Sequence, residues 1–128
     1  MKGIHHVEIW VADLDAVVDG WSWLFTSLGL ECTGEWPGGR TWDAGGAYVT
    51  LTNSPNLSAV DHDRRRPGMN HLALWGGSRT EVDAMMSVAA AHGWQPLYGD
   101  RYPHAGGPDH YAGWLENAEG FKVEIVAE

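Results

Sequence analysis

Cysteine is nearly absent from this chain of 128 residues, which contains only Cys32. A single cysteine cannot form an intramolecular disulfide, and a structural zinc site built from several cysteines is also excluded. Basic residues are scarce too, because 8 Lys and Arg stand against 17 Asp and Glu, for a formal net charge of −9. Phosphate binding requires a clustered basic surface, so this balance argues against a nucleic-acid-binding protein.

Long apolar runs are missing as well. No uncharged apolar stretch approaches the roughly 20 residues that a membrane-spanning helix needs. Met1 and Lys2 lead directly into a segment that contains His5, His6 and Glu8, a pattern unlike that of a signal peptide. The length is typical of one domain, so we expect residues 1–128 to form a single domain of a soluble, cytoplasmic protein that does not associate with membranes.

Tryptophan, in contrast, is abundant. The chain has eight Trp but only four Tyr and two Phe. Tryptophan combines a large apolar face with an indole N–H that needs a partner, and eight exceed what a core of this size usually holds. We therefore expect several of them to line a cavity for a flat or extended small molecule.

The first half of the chain predicts a strand, a helix and three further strands. Residues 4–11 alternate, so His6, Glu8 and Trp10 share one face and the aliphatic residues pack under a helix. Asp13 is a predicted N-cap for a helix that continues to about Leu28. Strands are expected at about 31–36, 40–44 and 47–52.

The second half repeats this order. Residues 70–75 alternate, with His71 and Trp75 on the face opposite the aliphatic residues, 65 positions after His6 and Trp10. A capping box at Ser78 begins a helix that stops at Gly93. Strands are expected at about 95–98, 110–116 and 121–126. The predicted organisation is therefore module 1 at about 3–53, a connector at about 54–68 and module 2 at about 69–127.

Three residues of this repeat could hold a metal ion. His6 and His71 are equivalent positions, and the last strand leaves Lys122 and Glu124 on the face away from the helix. Two imidazoles and one carboxylate suit Fe, Mn, Co, Ni or Zn and leave positions open for a chelating substrate. Strand histidines that are merely hydrogen-bonded remain the alternative interpretation.

Four segments, HHVEIWVADL, MNHLAL, HAGGPDHYA and GFKVEIV, resemble the vicinal oxygen chelate superfamily. That superfamily includes glyoxalase I, extradiol dioxygenases, fosfomycin-resistance enzymes and bleomycin-binding proteins. The resemblance implies an α+β fold in which two βαβββ modules form a curled mixed sheet around a central cleft, with the helices outside. It also implies a homodimer, in which modules are exchanged between chains in some members.

The resemblance assigns the metal-ligand positions to His6, His71 and Glu124. The fourth glyoxalase I ligand, a glutamate, falls at Thr50, and threonine is a poor substitute for an anionic oxygen donor. This departure argues against glyoxalase I chemistry. Glu8 shares a strand face with His6 and could act as the catalytic base or the fourth ligand, although an ordinary carboxylate lining a wet cleft is the alternative.

Candidate substrate-binding residues follow from the strand faces. His110 is a candidate general acid or base because the unperturbed pKa of histidine lies near neutrality. Arg40 could hold an anionic substrate group, or could instead pair with Glu35 or Asp43. Tyr111 points away from His110 if its strand is regular, and the loop around His104 is expected to close over the site. The candidates for substrate binding are Trp10, Arg40, Trp42, Tyr48, Thr50, Trp75, Tyr111 and Trp114.

Two functions are compatible with these residues. The first is a metal-dependent dioxygenase or lyase/isomerase that binds an aromatic or hydroxy-carbonyl substrate through two adjacent oxygens. The second is a non-catalytic binding protein that sequesters an antibiotic or another small molecule by tryptophan stacking. A bound metal with an open coordination position favours the enzyme, whereas tight ligand binding by metal-free protein favours sequestration.

Overall fold

The computed structural model describes residues 1–128, which divide into two compact units. The first unit comprises Met1–Asp61 and the second His62–Glu128. Each contains one α-helix and a four-stranded mixed sheet, in the order strand, helix, strand, strand, strand. The α+β fold with two βαβββ modules is therefore confirmed.

The first unit follows the predicted order closely. The elements are β1 (His6–Trp10), α1 (Leu14–Ser27), β2 (Glu31–Trp36), β3 (Gly39–Asp43) and β4 (Tyr48–Thr52). The sheet has the strand order β1-β4-β3-β2, in which β1 and β4 are parallel and the other pairs are antiparallel.

Helix α1 begins as the sequence predicts. Asp13 is the N-cap, and its carboxylate accepts a hydrogen bond from the backbone N–H of Ala16. The buried stripe differs in part from the expected one, because Phe25 is fully buried and packs its ring 4.9 Å from that of Trp42. The four-three-four spacing of Val17, Trp21, Leu24 and Leu28 in the sequence predicts that these residues form the stripe, but Val17 and Leu28 are only half-buried.

The second unit has the same topology, with strand order β5-β8-β7-β6 and a parallel β5–β8 pair. The capping box is present, since Ser78 accepts from the backbone of Glu81 and Glu81 accepts from the backbone of Ser78. The α-helix ends at Val88, and a 3-10 turn (Ala89–His92) continues to Gly93, whose φ of 85° terminates it. The remaining elements are β5 (Leu72–Trp75), α2 (Arg79–Val88), β6 (Trp94–Leu97), β7 (Ala112–Asn117) and β8 (Lys122–Val126).

Each sheet has one face that packs against its own helix. In the second unit this face carries Val123 and Ile125, both fully buried, and a Cβ added at Gly76 would collide with Ile125 and lie 2.8 Å from Val82 of α2. In the first unit it carries Trp42, Val49 and Leu51. We call the opposite surface of each sheet the helix-distal face; Glu124 lies on it in the second unit.

The strand registers define rows of neighbouring residues across each helix-distal face. In the first unit, one row contains His6, Tyr48 and Asp43, and the next contains Glu8, Thr50 and Thr41. In the second unit, Ala73, Glu124, Trp114 and Leu97 form one row, and Lys122 pairs with Glu116 in the adjacent one.

Candidate functional site

Glu124 is the central group of the second unit's helix-distal face. Its side chain is only 8% exposed, although a carboxylate is costly to bury without hydrogen bonds. Oε2 accepts from His71 Nε2 at 3.1 Å, and Oε1 accepts from His110 Nε2. Two imidazoles therefore satisfy the two oxygens of one buried carboxylate.

The ring of His71 is oriented by its neighbour in the chain. Its Nδ1 lies 2.8 Å from Asn70 Oδ1, which directs Nε2 toward Glu124. His71 directly precedes β5, and the alternation along this strand places it on the helix-distal face as predicted.

His110 reaches Glu124 from the loop before β7. Strand β7 begins at Ala112 rather than at 110, because the loop turns back through hydrogen bonds from His110 N to Gly107 O and from Ala112 N to Pro103 O. The loop packs closely over the site: a Cβ at Gly106 would lie 2.7 Å from His110 Cδ2 and 2.9 Å from Trp114 Cη2. Glycine at this position thus allows the loop to hold His110 beside Trp114 and Glu124.

The same loop is tied to α2 by two tyrosines. Tyr102 and Tyr111 both donate their hydroxyls to Asp83 Oδ1, at 2.5 and 2.7 Å. These bonds hold the pKa of the Asp83 carboxyl below its ordinary value of 3.8. The pKa of Tyr102 is raised, chiefly by burial and then by the Asp83 hydrogen bond.

Tyr111 is therefore not in the substrate-binding position that we expected. Its hydroxyl binds Asp83 on the helix side of the sheet, its ring lies under the Arg79 guanidinium at 4.9 Å, and His104 contacts that ring edge-on. The strand alternation noted for His110 and Tyr111 already points them to opposite sides. In this structure Tyr111 anchors the loop.

In the first unit, the helix-distal face presents His6 next to Tyr48. The two rings stack with centroids 4.7 Å apart and an interplanar angle of 4°. The neighbouring His5 places its Nδ1 2.8 Å from His6 Nδ1. This contact leaves Nε2 of His6 as the ring nitrogen without a hydrogen bond.

Glu8 and Thr50 occupy the next row of this face. The indole N–H of Trp10 donates to Glu8 Oε2 at 2.6 Å, and Glu8 is exposed. Thr50 is buried, and its hydroxyl lies 2.8 Å from that of Thr41 on β3. A cavity of about 630 Å³ opens on this side of the unit, lined among others by Thr41, Asp43 and Tyr48.

Arg40 and Trp42 lie on the other side of that sheet. Trp42 pairs with Val49, is fully buried and packs on Phe25, so it is a core residue between sheet and helix rather than part of a ligand wall. Arg40 pairs with Glu35 at 2.8 Å, which is the alternative that the sequence left open.

Two of the candidate tryptophans are accessible to a ligand. Trp10 is 43% exposed and Trp75 is 71% exposed, both at the ends of first strands. Trp114 is 8% exposed, pairs directly with Glu124 and lies with its ring centroid 6.0 Å from that of His110.

Sequence reasoning missed one polar cluster on the second unit's helix-distal face. Lys122 Nζ donates to the hydroxyl of Tyr98 at 2.9 Å. Tyr98 has a φ of 58° and is the single residue other than glycine with positive φ. Alternation had placed Lys122 on this face, but the loop conformation that brings Tyr98 to it leaves no periodic signal in the sequence.

The donor chemistry of this site bears on whether it could hold a metal ion. No three His, Cys, Asp or Glu side chains are arranged as a metal centre. His71 and Glu124, however, meet within hydrogen-bond distance on one face, and an imidazole nitrogen beside a buried carboxylate is a donor pair that divalent transition metals accept. The residues present thus fit part of such a site.

Comparison with known proteins identifies the family. The family model of the glyoxalase/bleomycin resistance protein/dioxygenase superfamily matches residues 5–114. The uncharacterized Bacillus subtilis protein YqjT is 38% identical over 97% of this chain and 98% of its own length. The chain belongs to the glyoxalase/bleomycin resistance protein/dioxygenase superfamily, which confirms the resemblance seen in the sequence.

Solved structures agree with this assignment. A candidate glyoxalase from Bacillus halodurans is 38% identical, with a TM-score of 0.91 over 98% of this chain and 95% of that one. Lactoylglutathione lyase from Agrobacterium tumefaciens shares the fold at 19% identity, with a TM-score of 0.64 over 99% of this chain and 94% of that one. No helix of the structure has the length and apolar character needed to cross a membrane.

Proposed function

We propose that this protein is a metalloenzyme in which His6, His71 and Glu124 hold a divalent metal ion, of Fe, Mn, Ni, Co or Zn type. The substrate is a small molecule that binds the ion through two adjacent oxygens, and the chemistry is that of a dioxygenase or of a lyase/isomerase. The observation that carries the proposal is the buried Glu124 carboxylate facing His71 on the helix-distal face.

The bound ion would supply Lewis-acid stabilisation of negative charge on the substrate oxygens. His71 would exchange its hydrogen bond to Glu124 for metal ligation, while His110 would keep its contact with the second carboxylate oxygen and hold Glu124 in place.

Glu8 is the proposed proton acceptor. Its Oε2 is held by the indole N–H of Trp10, which orients the carboxylate, and its exposure leaves Oε1 accessible to a substrate proton. Trp10, Tyr48 and Trp75 are the proposed substrate-contacting residues, since they lie on helix-distal faces and are accessible to a ligand. Thr50 and Trp114 lie on the same faces but are buried, and we propose that they support the wall of the site. Arg40, Trp42 and Tyr111 are left out because each is engaged elsewhere.

A non-catalytic binding protein is the second candidate. The exposed rings of Trp10 and Trp75 favour it, because exposed tryptophan faces on an acidic protein suit a flat, cationic ligand such as an antibiotic. We further propose that the protein acts as a cytoplasmic homodimer, as the resemblance implies.

The decisive experiment is metal analysis of untagged protein purified without added metal. We expect about one transition-metal ion per chain, with loss of metal in His6→Ala, His71→Ala and Glu124→Gln. His92→Ala, which alters an exposed histidine of the 3-10 turn, is the matched control and should retain the metal. Wild-type protein that is metal-free and cannot be loaded would overturn the enzyme proposal, and ligand titration of that protein would then test sequestration.

A further inference from the structure

Lys122 lies on the helix-distal face of β8, two residues before Glu124. Its ammonium makes one hydrogen bond, to the hydroxyl of Tyr98, and its Nζ lies 4.9 Å from the centre of that ring. Its cross-strand neighbour Glu116 pairs instead with Arg64, at 3.4 Å. Lys122 is thus a half-buried cation without a carboxylate partner, in a protein whose net charge is −9.

Two further cations surround Tyr98. The Arg101 guanidinium lies 5.0 Å from the centre of the ring, and Arg64 contributes with Lys122 and Arg101 to lowering the pKa of the Tyr98 hydroxyl below 10.0, mainly through the Lys122 hydrogen bond. Arg64 Nε is buried without a hydrogen-bond partner. A buried unpaired donor is costly, and such donors in native proteins call for a partner.

Local charges indicate the valence of an anion that Lys122 could bind. Arg64 is balanced by Glu116 and Arg101 lies 4.0 Å from Asp100, so the unbalanced charge is that of Lys122 alone. One unbalanced cation with a hydroxyl donor beside it matches a monoanion such as a carboxylate better than a dianionic phosphate. Residues two apart on a strand are separated by about 7 Å, which is close to the span of a benzene ring with its substituents.

We propose that Lys122 and Tyr98 form a subsite that binds a carboxylate group of the substrate. The two adjacent oxygens through which the substrate binds the metal lie toward Glu124. The orientation of the substrate in this inference rests on the proposed function, because Glu124 belongs to the proposed metal site. It narrows the substrate class to compounds that carry a carboxylate about one ring-length from the chelating oxygens. Lys122 donates to the carboxylate, Tyr98 fixes the ammonium, and Arg64 and Arg101 strengthen the positive potential.

The test compares two probes that differ only by a carboxylate, catechol and 3,4-dihydroxybenzoate, titrated into zinc-loaded protein by calorimetry. We expect the benzoate to bind about ten- to a hundredfold more tightly, as charge-assisted hydrogen bonds allow. Lys122→Met should abolish this preference without changing catechol affinity, and Tyr98→Phe should reduce it. Lys2→Met is the matched control, since Lys2 is the only other lysine of the chain, and should behave as wild type.

Other results separate the two proposals. If both probes bind in a zinc-dependent manner but Lys122→Met keeps the preference, the subsite is overturned and the proposed function stands. If neither probe shows zinc-dependent binding, the proposed function fails, and benzoate titrated into metal-free protein tests the subsite by itself. Benzoate binding to metal-free protein that disappears in Lys122→Met supports the subsite. The subsite is overturned if benzoate does not bind or if inorganic phosphate binds equally well. Circular dichroism melts of each variant identify loss of folding. If Lys122→Met does not fold, Tyr98→Phe, expected to reduce the preference, takes its place in the comparison with wild type, and an unchanged preference in Tyr98→Phe overturns the subsite.

Discussion

Glu8 and Thr50 are direct neighbours on the parallel strands β1 and β4. The equivalent pair in the second unit is Ala73 on β5 and Glu124 on β8. Each unit therefore has one carboxylate in this row of its helix-distal face, on the first strand in one unit and on the last strand in the other. The Glu8 carboxylate lies on the strand next to Thr50, the position at which the resemblance places the fourth glyoxalase I ligand.

This relationship predicts that the carboxylate can be moved between the two strands. Glu8→Ala should weaken metal affinity by about 10- to 100-fold, because the proposed site would lose an acidic group beside His6. The double variant Glu8→Ala/Thr50→Glu should recover part of that loss, although its new carboxylate must displace the Thr41–Thr50 hydrogen bond. Zinc affinity measured by competition with a chelating dye checks both, with Asp19→Ala on the exposed side of α1 as control. Unchanged affinity in Glu8→Ala would contradict the prediction.

The sequence was sufficient to predict the order of elements, because strand alternation, caps and glycine stops are local signals. Asp13 and Ser78 begin helices where expected, and Gly93 ends the helical segment of the second unit where expected. Trp42 was misplaced because a five-residue strand rich in polar residues does not show which face is buried. The register decides it, since Trp42 pairs with the aliphatic Val49.

The candidate site was predicted in part. Alternation correctly placed His71 and Glu124 on one face, since period-two patterns determine sidedness. It could not indicate that His110 reaches the same carboxylate, because His110 lies in a loop whose path depends on Gly106 and on the tyrosines that bind Asp83. Nor could it place Tyr98 beside Lys122, since this contact requires a rare left-handed backbone conformation.

Gly76 follows β5, and the space for its side chain is already filled. An added Cβ would collide with Ile125 Cγ2 and lie 2.8 Å from Val82 Cγ2, both in the fully buried core of the second unit. Gly76→Ala should therefore lower the free energy of unfolding by about 1–3 kcal/mol, the usual cost of overpacking. Urea denaturation measures this change in the free energy of unfolding. Gly99→Ala is the comparison, because no atom lies within 4 Å of the position that its methyl group would take, and it should be nearly neutral.

Gly106→Ala should alter the candidate site without removing any of its polar groups. The added methyl would meet the rings of His110 and Trp114, so His110 should move away from Glu124. Long-range ¹H–¹⁵N spectra of the histidine rings should show a shift of the His110 Nε2 resonance, because its charge-assisted hydrogen bond to the carboxylate is weakened. The His62 signals, from a ring stacked on Phe121, should stay constant. An unaltered His110 signal would mean that the loop adjusts and that glycine is not required there.

Asp83 should make the stability of the second unit depend on pH at both ends of the range. The pKa of its carboxyl is depressed in the folded state, so its stabilising effect is present above about pH 4 and disappears as the pH falls through the folded-state value. The pKa values of Tyr102 and Tyr111 are raised, so the stabilisation is also lost as the pH rises above about 10. The difference in Tm between wild type and Asp83→Asn should be largest between these limits and should shrink toward pH 2. Asp100→Asn, in the loop that Asp83 anchors, should show no such profile. A Tm difference for Asp83→Asn that stays constant down to pH 2 would exclude the ionised carboxylate as the anchor.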